Sequence, residues 1–418
     1  MKQAKESRAF EIDIEKLVYG GMGLGHCQGK VVFTPFSVPG DRLLVRPIEE
    51  KRTFIRAETV RIIQQGKGRV EPTCPHFAAC GGCHWQQLEY VKQVEAKQQI
   101  LEEILNHRFP ETRGLPIVMR ACPQPLAYRS RARIQTRGSG PTASVGFFRG
   151  GSHVVEDVAS CPLFRRTLNE GLCALRKYKF QAVQDARAQE WDLACSEEEN
   201  AWAAALVGPA GPNDGTSVLT GSGRSDTAVL EREVGEFRYS VEASAFFQAN
   251  DFMAPELVRL VQESAQHASG ASVLDLFAGV GLFSLPLARH FQKVVAVENS
   301  NSSCRLCTVN ASATAPGRIQ VICADVSGWL GSETSSTPGP FSMILLDPPR
   351  TGAGIPVMER IREWAPEVIL YVSCDPQTLA RDLAIISPGD YQIDLVEGLD
   401  MFPQTYHFET VVRLVRRP

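Results

Sequence analysis

The stretches Leu346-Asp347-Pro348-Pro349-Arg350 and Ser373-Cys374-Asp375-Pro376 each follow a short apolar run. Apolar runs of this length are typical of strands buried in a parallel sheet. Both runs break into loops with prolines, which place polar groups at the carboxyl ends of the predicted strands. Because ligands bind at that edge of an open α/β sheet, we expect the Asp347 carboxylate and the Cys374 thiol to share one crevice.

The C-terminal half alternates strand-like runs with helix-length segments, the pattern of a doubly wound α/β fold. The first strand enters the turn Leu274-Asp275-Leu276-Phe277-Ala278-Gly279-Val280-Gly281, a feature that NAD enzymes and methyltransferases share. Glu298 ends the second strand, where a carboxylate commonly binds ribose hydroxyls, and Asp325 ends the third strand. The predicted strands are 272–277, 293–298, 319–325, 341–346, 368–372 and 391–396.

Length and composition limit the classes of protein to consider. The 418 residues exceed one ordinary core, and 44% apolar with 22% charged residues is typical of globular proteins. A net charge of −3 gives no global electrostatic case for binding nucleic acid, so only a local patch could do so. No apolar run approaches the roughly 20 residues that span a bilayer. We therefore expect a cytoplasmic protein without membrane contact, and nothing in the sequence demands more than a monomer.

Residues 9 to 66 alternate short β-rich runs with glycine and proline turns, which predicts a small β-barrel. The stretch from Arg42 to Arg69 contains eight basic and three acidic residues. This excess fits either a solvated rim or a phosphate-binding face of an oligonucleotide-binding barrel. The stretch Tyr19-Gly20-Gly21-Met22-Gly23-Leu24-Gly25 resembles the TRAM domain, an RNA-binding barrel found in RNA-modifying enzymes.

Cys74, Cys80 and Cys83 lie within ten residues, and the Gly81-Gly82 pair lets the backbone fold back between the last two thiols. With twelve cysteines and no export signal, metal ligation is favoured over disulfides. A single CxxC pair favours an iron–sulfur cluster over structural zinc, which usually uses two pairs. From the residues alone, the fourth ligand stays open among Cys122, Cys161, Cys173 and Cys195.

Two further stretches lie between the cysteines and the C-terminal half. Apolar residues along one face predict a helix from Leu88 to His107, with Val91 on the buried face. Arg129, Arg131 and Arg133 alternate along a predicted strand with no acid nearby in sequence. We interpret that row as a surface for RNA phosphates.

The motifs CX₅CGGC, LDLFAGVGLFSLPLA, LLDPPRTGAG, YVSCDPQTLARDL and DMFPQTYHFETV together resemble the RNA 5-methyluridine methyltransferase family. The member type that they resemble is the ribosomal RNA enzyme with a TRAM barrel and a [4Fe-4S] cluster. The resemblance implies S-adenosylmethionine as methyl donor and structured RNA as partner, ribosomal RNA more than transfer RNA. It implies a Rossmann-like methyltransferase domain over 236–418, a TRAM-like barrel over 1–68 and a cluster-bearing α+β domain over 69–235.

The resemblance also assigns roles to individual residues. It implies that Cys374 is the nucleophile and Glu409 the general base. The cofactor pocket that it implies comprises Gln248, Phe277, Glu298, Asp325 and Asp347, the last of which would also contact the reacting base. The implied cluster ligands are Cys74, Cys80, Cys83 and Cys161.

The chemistry explains why such residues are needed. C5 of uracil is a poor nucleophile until a thiolate adds at C6 and concentrates charge at C5. A base must then remove the C5 proton so that the sulfur can be expelled. Two other functions fit parts of the sequence: a methyltransferase acting on an exocyclic amine of a purine, and a non-catalytic RNA-binding protein. The first needs no Cys374 and usually has an aromatic residue at the position of Arg350. The presence of Cys374, Glu409 and the cofactor-site residues argues against the second.

Overall fold

A computed structural model describes residues 9–181, 188–207, 218–221, 223–224, 229–332, 341–386 and 389–417. Its N-terminal strands are β1 (Phe10–Asp13), β2 (Lys16–Leu17), β3 (Gly23–Cys27), β4 (Lys30–Thr34), β5 (Arg42–Glu50) and β6 (Phe54–Gln64). They form a six-stranded sheet in the order β1-β5-β6-β4-β3-β2, in which the β4–β6 pair is parallel and the other pairs are antiparallel. Its small core consists of alternate strand residues such as Ile12, Val32 and Leu43.

The middle of the chain folds around a second sheet in the order β10-β9-β8-β11-β12-β13-β14. A separate two-stranded hairpin, β15-β16, follows it. The elements are α1 (Tyr90–Arg108), β7 (Ile117–Arg120), β8 (Arg131–Arg137), β9 (Ser144–Phe148), β10 (Val155–Asp157), α2 (Arg166–Gln181), β11 (Gln189–Ser196), β12 (Ala201–Val207), β13 (Val218–Thr220), β14 (Gly223–Arg224), β15 (Val229–Val234) and β16 (Phe237–Glu242). Short 3₁₀ helices occupy Pro110–Thr112 and Gly140–Thr142.

The C-terminal part is an eight-stranded sheet with helices between its strands, in the order β19-β18-β17-β20-β21-β23-β22-β7. The first five strands in this order, β19, β18, β17, β20 and β21, pair in parallel with one another. Strand β23 is antiparallel to both of its neighbours, β21 and β22. The elements are α3 (Ala254–Ala265), β17 (Ser272–Leu276), α4 (Ser284–His290), β18 (Lys293–Glu298), α5 (Asn301–Thr314), β19 (Ile319–Cys323), α6 (Val326–Leu330), β20 (Phe341–Leu346), α7 (Ile355–Trp364), β21 (Val368–Ser373), α8 (Pro376–Ile386), β22 (Tyr391–Leu399) and β23 (Glu409–Arg416).

The predicted α/β fold of the C-terminal half is confirmed. All six predicted strands are present, and the largest change of boundary is the extension of the last strand from residue 396 to Leu399. The strand β23 has no counterpart among those six. The five central strands are buried on both faces, as their nearly continuous apolar sequences require.

Helix α1 forms close to the predicted position, but its predicted buried face is wrong in one respect. Val91 is 58% exposed, whereas the polar side chains of Gln93 and Lys97 are fully buried. The reason is that the face with Gln93 and Lys97 packs on polar groups of the loop 400–408. Sequence periodicity does not reveal such a partner. No helix in the described parts of the chain is long and apolar enough to cross a membrane.

Strand β7 joins the C-terminal sheet although it lies far upstream in the sequence. It pairs in parallel with β22, and its residue Ile117 lies opposite Val396. The apolar side of α1 packs into the same core through Ile100, Leu101 and Leu105. The sheet that carries the predicted active site therefore includes a strand from the predicted middle domain.

A buried ion pair fixes α1 to the loop 400–408. The Lys97 ammonium lies 2.6 Å from Asp400 Oδ1 and also donates to the carbonyl oxygen of Phe402 at 3.1 Å. Both side chains of the pair are excluded from solvent. A buried charge without its partner is costly, so this pair constrains where the loop can lie.

We expect Lys97→Met to destabilise the fold by about 3–5 kcal/mol, because it leaves the Asp400 carboxylate buried without a counter-ion. The measurement is the shift of the urea unfolding midpoint, followed by circular dichroism. The matched control is Lys16→Met, which removes the exposed pair with Glu103 and should cost about 1 kcal/mol or less. Equal shifts for the two variants would mean that the buried pair does not constrain the fold.

Candidate functional site

Three candidate residues lie at one edge of the C-terminal sheet. Asp347 directly follows β20, and Cys374 directly follows β21. Strand β23 runs in the opposite direction, so its first residue, Glu409, is found where β21 ends. The register pairs Ser373 with Thr410, which are the neighbours of Cys374 and Glu409 in sequence. The structure thus brings a thiol and two carboxyls together from three adjacent strands.

The electrostatics of this edge favour protonated groups. Burial raises the pKa of the Cys374 thiol to about 12, with further contributions from Glu409 and Asp347, while Arg350 lowers it. Burial and the charge of Asp347 raise the pKa of Glu409 well above its usual range. Burial and the charge of Asp275 raise the pKa of Asp347 to about 7. These shifts have the signs expected for like charges crowded into a region of low polarity.

Glu409, the candidate base, is enclosed by protein. Its side chain is 4% exposed, and its Oε2 atom has no hydrogen-bond partner in the described structure. A buried acceptor without a partner is rare, because it loses its hydrogen bonds to water without replacement. The arrangement leaves one carboxylate oxygen free to take up a proton from a bound molecule.

The loop that precedes Glu409 is held by residues that follow Cys83. The Gln93 side chain accepts from the backbone nitrogen of Gln404 at 2.9 Å and donates to its Oε1 at 3.0 Å. The backbone nitrogens of His84 and Trp85 both donate to the Gln404 carbonyl, at 2.9 and 3.1 Å. Gln404 itself has a positive φ of 69°, a backbone conformation that such surroundings must enforce. The cysteine-rich segment therefore helps to position the candidate base.

The predicted cofactor residues occupy the other half of the same edge. Phe277 follows β17 with a positive φ of 63°, an uncommon conformation for a residue other than glycine. Glu298, at the end of β18, accepts a hydrogen bond from the backbone nitrogen of Gly279 at 2.9 Å. Its other oxygen accepts from the backbone nitrogens of Asn299 and Ser300 at 2.9 and 2.8 Å. The Glu298 carboxylate thus fixes the glycine turn next to which a nucleoside would lie.

Asp325 and Gln248 lie at the periphery of this half. Asp325 follows β19 and caps helix α6 by accepting from the backbone nitrogen of Gly328 at 2.7 Å. Gln248 is buried in the segment between β16 and α3. Three of the cofactor candidates, Phe277, Glu298 and Asp325, follow β17, β18 and β19, whereas Asp347, Cys374 and Glu409 belong to β20, β21 and β23. The strand order reverses between β17 and β20, which is where ligands bind in such folds.

Asp275 was not among the predicted site residues, although the structure places it beside them. It is fully buried in β17, accepts from the Ser284 hydroxyl at 2.5 Å, and its Oδ1 atom has no partner among the described residues. Burial raises the pKa of Asp275 to about 7. The sequence did contain a signal for this residue, because Asp275 is a carboxylate inside an otherwise apolar run of a predicted strand.

The four predicted cluster ligands line one cavity. Cys74, Cys80, Cys83 and Cys161 share it with apolar side chains such as Phe77 and Phe147. By contrast, Cys122 and Cys195 are buried elsewhere and Cys173 is exposed on α2. No group of three or more His, Cys, Asp or Glu among the described residues is arranged to hold a single metal ion.

Two hydrogen bonds to sulfur support the use of this cavity by thiolates. The backbone nitrogen of Gly82 donates to Cys80 Sγ at 3.4 Å, and Gln86 Nε2 donates to Cys83 Sγ at 3.2 Å. Burial raises the pKa of Cys83 to about 12 and that of Cys161 to about 11. Burial therefore disfavours the charged forms of Cys83 and Cys161, and a positively charged group among them would favour those forms.

The predicted row of arginines makes hydrogen bonds within the protein, and one of the three has an acidic partner. Arg133 pairs with Asp192 on β11 through two hydrogen bonds of 3.0 and 3.2 Å. Arg131 donates to the carbonyl oxygen of Ala243 at 2.6 Å, and Arg129 donates to that of Arg131 at 2.7 Å. The prediction of three arginines without an acid nearby is wrong, because Asp192 is distant in sequence but adjacent across the sheet.

The basic residues of the N-terminal sheet divide in a similar way. Five of the eight have acidic partners, for example Arg42 with Glu11 and Arg46 with Glu58. Arg52, Arg61 and Lys67 have no acidic partner within 4.0 Å in the part of the chain that the structure describes. This smaller set is what remains available for phosphate groups.

Comparison with known proteins gives a consistent result. The family model described as tRNA (Uracil-5-)-methyltransferase matches residues 226–327 and 337–417. An RNA methyltransferase of Thermosynechococcus vestitus is 30% identical over 98% of this chain and 98% of its own length. The 23S rRNA (uracil(1939)-C(5))-methyltransferase RlmD of Pectobacterium atrosepticum is 30% identical over 98% of this chain and 94% of its own length.

A solved structure shares the fold over nearly the whole chain. The tRNA (uracil-54, C5)-methyltransferase of Pyrococcus abyssi, solved in complex with S-adenosyl-L-homocysteine, has a TM-score of 0.73. The match covers 97% of this chain and 99% of that one at 24% identity, so it bears on the fold alone. Together with the full-length sequence relatives, these matches show that the chain belongs to the RNA (uracil-5-)-methyltransferase family.

Proposed function

We propose that this enzyme transfers the methyl group of S-adenosylmethionine to C5 of a uridine in 23S ribosomal RNA. The observation that carries the proposal is the meeting of Cys374 and Glu409 at the edge of the sheet, with Asp347 between a cofactor half and a substrate half. A nucleophile and a base at the carboxyl ends of neighbouring strands are what substitution at C5 requires.

The chain's own residues account for the covalent steps. Deprotonated Cys374 forms a bond from sulfur to C6 of uracil, and the electrons displaced from the C5–C6 double bond make C5 nucleophilic. S-adenosylmethionine supplies an electrophilic methyl group, which C5 attacks. Glu409 then accepts the C5 proton, the double bond re-forms and the bond from C6 to sulfur breaks. The products are 5-methyluridine, S-adenosylhomocysteine and the regenerated thiolate.

The other candidates orient the two substrates. Glu298 and Asp325 are suited to the ribose and the base amine of the donor, with Gln248 and Phe277 completing the pocket. Asp347 can hydrogen-bond to the edge of the uracil and hold C6 above the thiol. Because a paired base cannot reach such a pocket, the target uridine must leave its stack.

The choice of ribosomal over transfer RNA rests on the full-length relatives. The matched enzymes of Pectobacterium atrosepticum and Shewanella amazonensis, both 30% identical, are named for uridine 1939 of 23S rRNA. The transfer RNA enzyme is less similar in sequence, at 24% identity. A TRAM-like role for the N-terminal sheet agrees with a large RNA substrate, since Arg61 lies in β6, Arg52 in the connection between β5 and β6, and Lys67 just after β6.

We infer that Cys74, Cys80, Cys83 and Cys161 hold a [4Fe-4S] cluster. Four thiols that line one cavity, with nitrogen donors directed at two of the sulfurs, fit cysteine-ligated clusters. All four positions are then filled by protein, so the cluster has a structural role. It would stabilise the segment whose residues His84 and Trp85 hold the loop before Glu409.

The reaction is tested with S-adenosylmethionine labelled with tritium in the methyl group. Enzyme purified without oxygen is incubated with unmodified 23S rRNA or transfer RNA, and the RNA is digested to nucleosides. We expect label in 5-methyluridine from 23S rRNA, and a loss of at least about 1,000-fold in Cys374→Ala because the nucleophile is gone.

Each other outcome has a clear meaning. Full methylation by the Cys374→Ala variant would exclude the thiol mechanism. Label in a methylated purine would favour the exocyclic-amine reaction, and label in transfer RNA alone would change the substrate. RNA binding without any label would favour a non-catalytic RNA-binding protein. The control is Cys173→Ala, which changes an exposed cysteine outside the site and should leave the rate unchanged.

We expect Glu409→Gln to stop the reaction after methyl transfer, because a neutral amide cannot accept the C5 proton. The enzyme should then accumulate as a covalent complex with RNA that survives denaturing gel electrophoresis. The same change combined with Cys374→Ala should give no such complex. A Glu409→Gln variant that turns over at the wild-type rate would show that another group removes the proton.

The cluster is tested by iron and acid-labile sulfide analysis of protein purified without oxygen. We expect about four iron atoms per chain in the wild type and a large loss in Cys161→Ser. Cys122→Ser is the matched control, since that buried thiol lies outside the cavity and its loss should leave the iron content intact. Zinc in place of iron, or unchanged iron in Cys161→Ser, would contradict the assignment.

A further inference from the structure

One side chain of the N-terminal sheet reaches the candidate active site. Tyr19 lies in the turn between β2 and β3, and its hydroxyl donates to Asp375 Oδ2 at 3.0 Å. Asp375 is the residue that directly follows the candidate nucleophile, Cys374. The contact joins positions 356 residues apart in the sequence.

The turn that carries Tyr19 is pressed against the C-terminal sheet. Gly21 has a φ of +85°, and a Cβ atom there would lie 2.8 Å from the Tyr406 ring. The Gly21 carbonyl accepts from the indole nitrogen of Trp85 at 3.1 Å. The close approach and this hydrogen bond fix the turn, so that Tyr19 is placed by more than its own contacts.

Asp375 fixes the turn that bears the thiol. Its Oδ1 atom accepts from the backbone nitrogens of Gln377 and Thr378 at 2.9 and 3.1 Å, which caps helix α8. The Ser373 hydroxyl donates to the carbonyl oxygen of Asp375 at 3.0 Å. Tyr19 holds the remaining carboxylate oxygen, so both oxygens of Asp375 have defined partners.

The Tyr19 ring also contacts the loop that leads to the candidate base. It packs edge-on against Tyr406, with ring centroids 5.4 Å apart, and against Phe408 at 6.3 Å. Phe408 directly precedes Glu409. Burial and the nearby Asp375 raise the pKa of Tyr19 above its usual range, so its hydroxyl stays protonated and acts as a donor.

We propose that Tyr19 is a positioning residue by which the N-terminal sheet sets the placement of the Cys374 thiol relative to Glu409. The hydroxyl restrains the thiol turn through Asp375, and the ring restrains the base loop through Tyr406 and Phe408. The N-terminal sheet then has a role in the chemical steps as well as in binding RNA. This inference rests on the proposed reaction of Cys374 with uracil.

The test uses RNA in which the target uridine is replaced by 5-fluorouridine. Fluorine cannot leave C5 as a cation, so the bond between Cys374 and C6 persists and its formation is followed on denaturing gels. Tyr19→Phe keeps the ring and removes only the hydroxyl. We expect the rate of adduct formation at saturating RNA and cofactor to fall about 10- to 100-fold, the range for a misplaced reacting group. The affinity for RNA should stay within about twofold, because the phosphate contacts are elsewhere.

The matched control is Tyr391→Phe. It also removes a tyrosine hydroxyl that donates to an oxygen atom, here the carbonyl oxygen of Pro366 at 2.7 Å, but at a site distant from the thiol turn. Its adduct rate should equal that of the wild type, while its urea midpoint reports the general cost of such a loss. Gly21→Ala, which displaces the turn and leaves Tyr19 intact, should slow the adduct as Tyr19→Phe does.

The outcomes separate this inference from the proposed function. If the wild type forms no adduct, the thiol mechanism fails and the inference fails with it. If the wild type reacts and Tyr19→Phe reacts equally fast, only the inference is overturned. A Tyr19→Phe variant with weaker RNA binding and an unchanged rate at saturation would assign Tyr19 to RNA contact instead.

Discussion

The antiparallel pairing of β21 with β23 is the constraint on which the site depends. In a wholly parallel sheet, the residue that begins a strand lies at the edge opposite to the ligands. Because β23 runs antiparallel to β21, its first residue, Glu409, lies at the edge where β21 ends and Cys374 follows. The chain must then cross that edge through residues 400–408 before β23 starts. This loop takes its shape from outside the sheet, through Lys97, Gln93 and the backbone after Cys83.

Crowded acids give this site its chemical character. The charge of Asp275 raises the pKa of Asp347, that of Asp347 raises the pKa of Glu409, and Arg350 is the cation that lowers the pKa of Cys374. Such surroundings favour the protonated forms of these groups, although the attacking group must be a thiolate. The arrangement keeps the thiol unreactive toward solvent between turnovers.

The sequence was most informative where structure is decided locally. Short apolar runs located the strands of the C-terminal sheet, since burial on both faces demands them. Position at a strand end predicted that Asp347 and Cys374 would converge. Glu409 required the family resemblance, because nothing near it in sequence shows that its strand runs backwards.

What local patterns missed was decided by contacts between distant segments. Val91 is exposed and Lys97 is buried because α1 packs on a polar loop. Arg133 finds Asp192 only when β8 and β11 pair. Tyr19 lies 356 residues from its partner, and a tyrosine in a glycine-rich turn has no pattern that indicates a role in catalysis.

The short strand β7 has a consequence for how the chain reaches its native state. It is the outermost strand of the C-terminal sheet, and its partner β22 is synthesised about 280 residues later. At 5–20 residues per second, a ribosome takes roughly 15 to 55 s to produce that partner. Throughout this interval β7, with the apolar side of α1, lacks the surface that it covers in the finished protein. The order of synthesis thus leaves this apolar surface uncovered for that time, and chaperones can bind it before β22 is made.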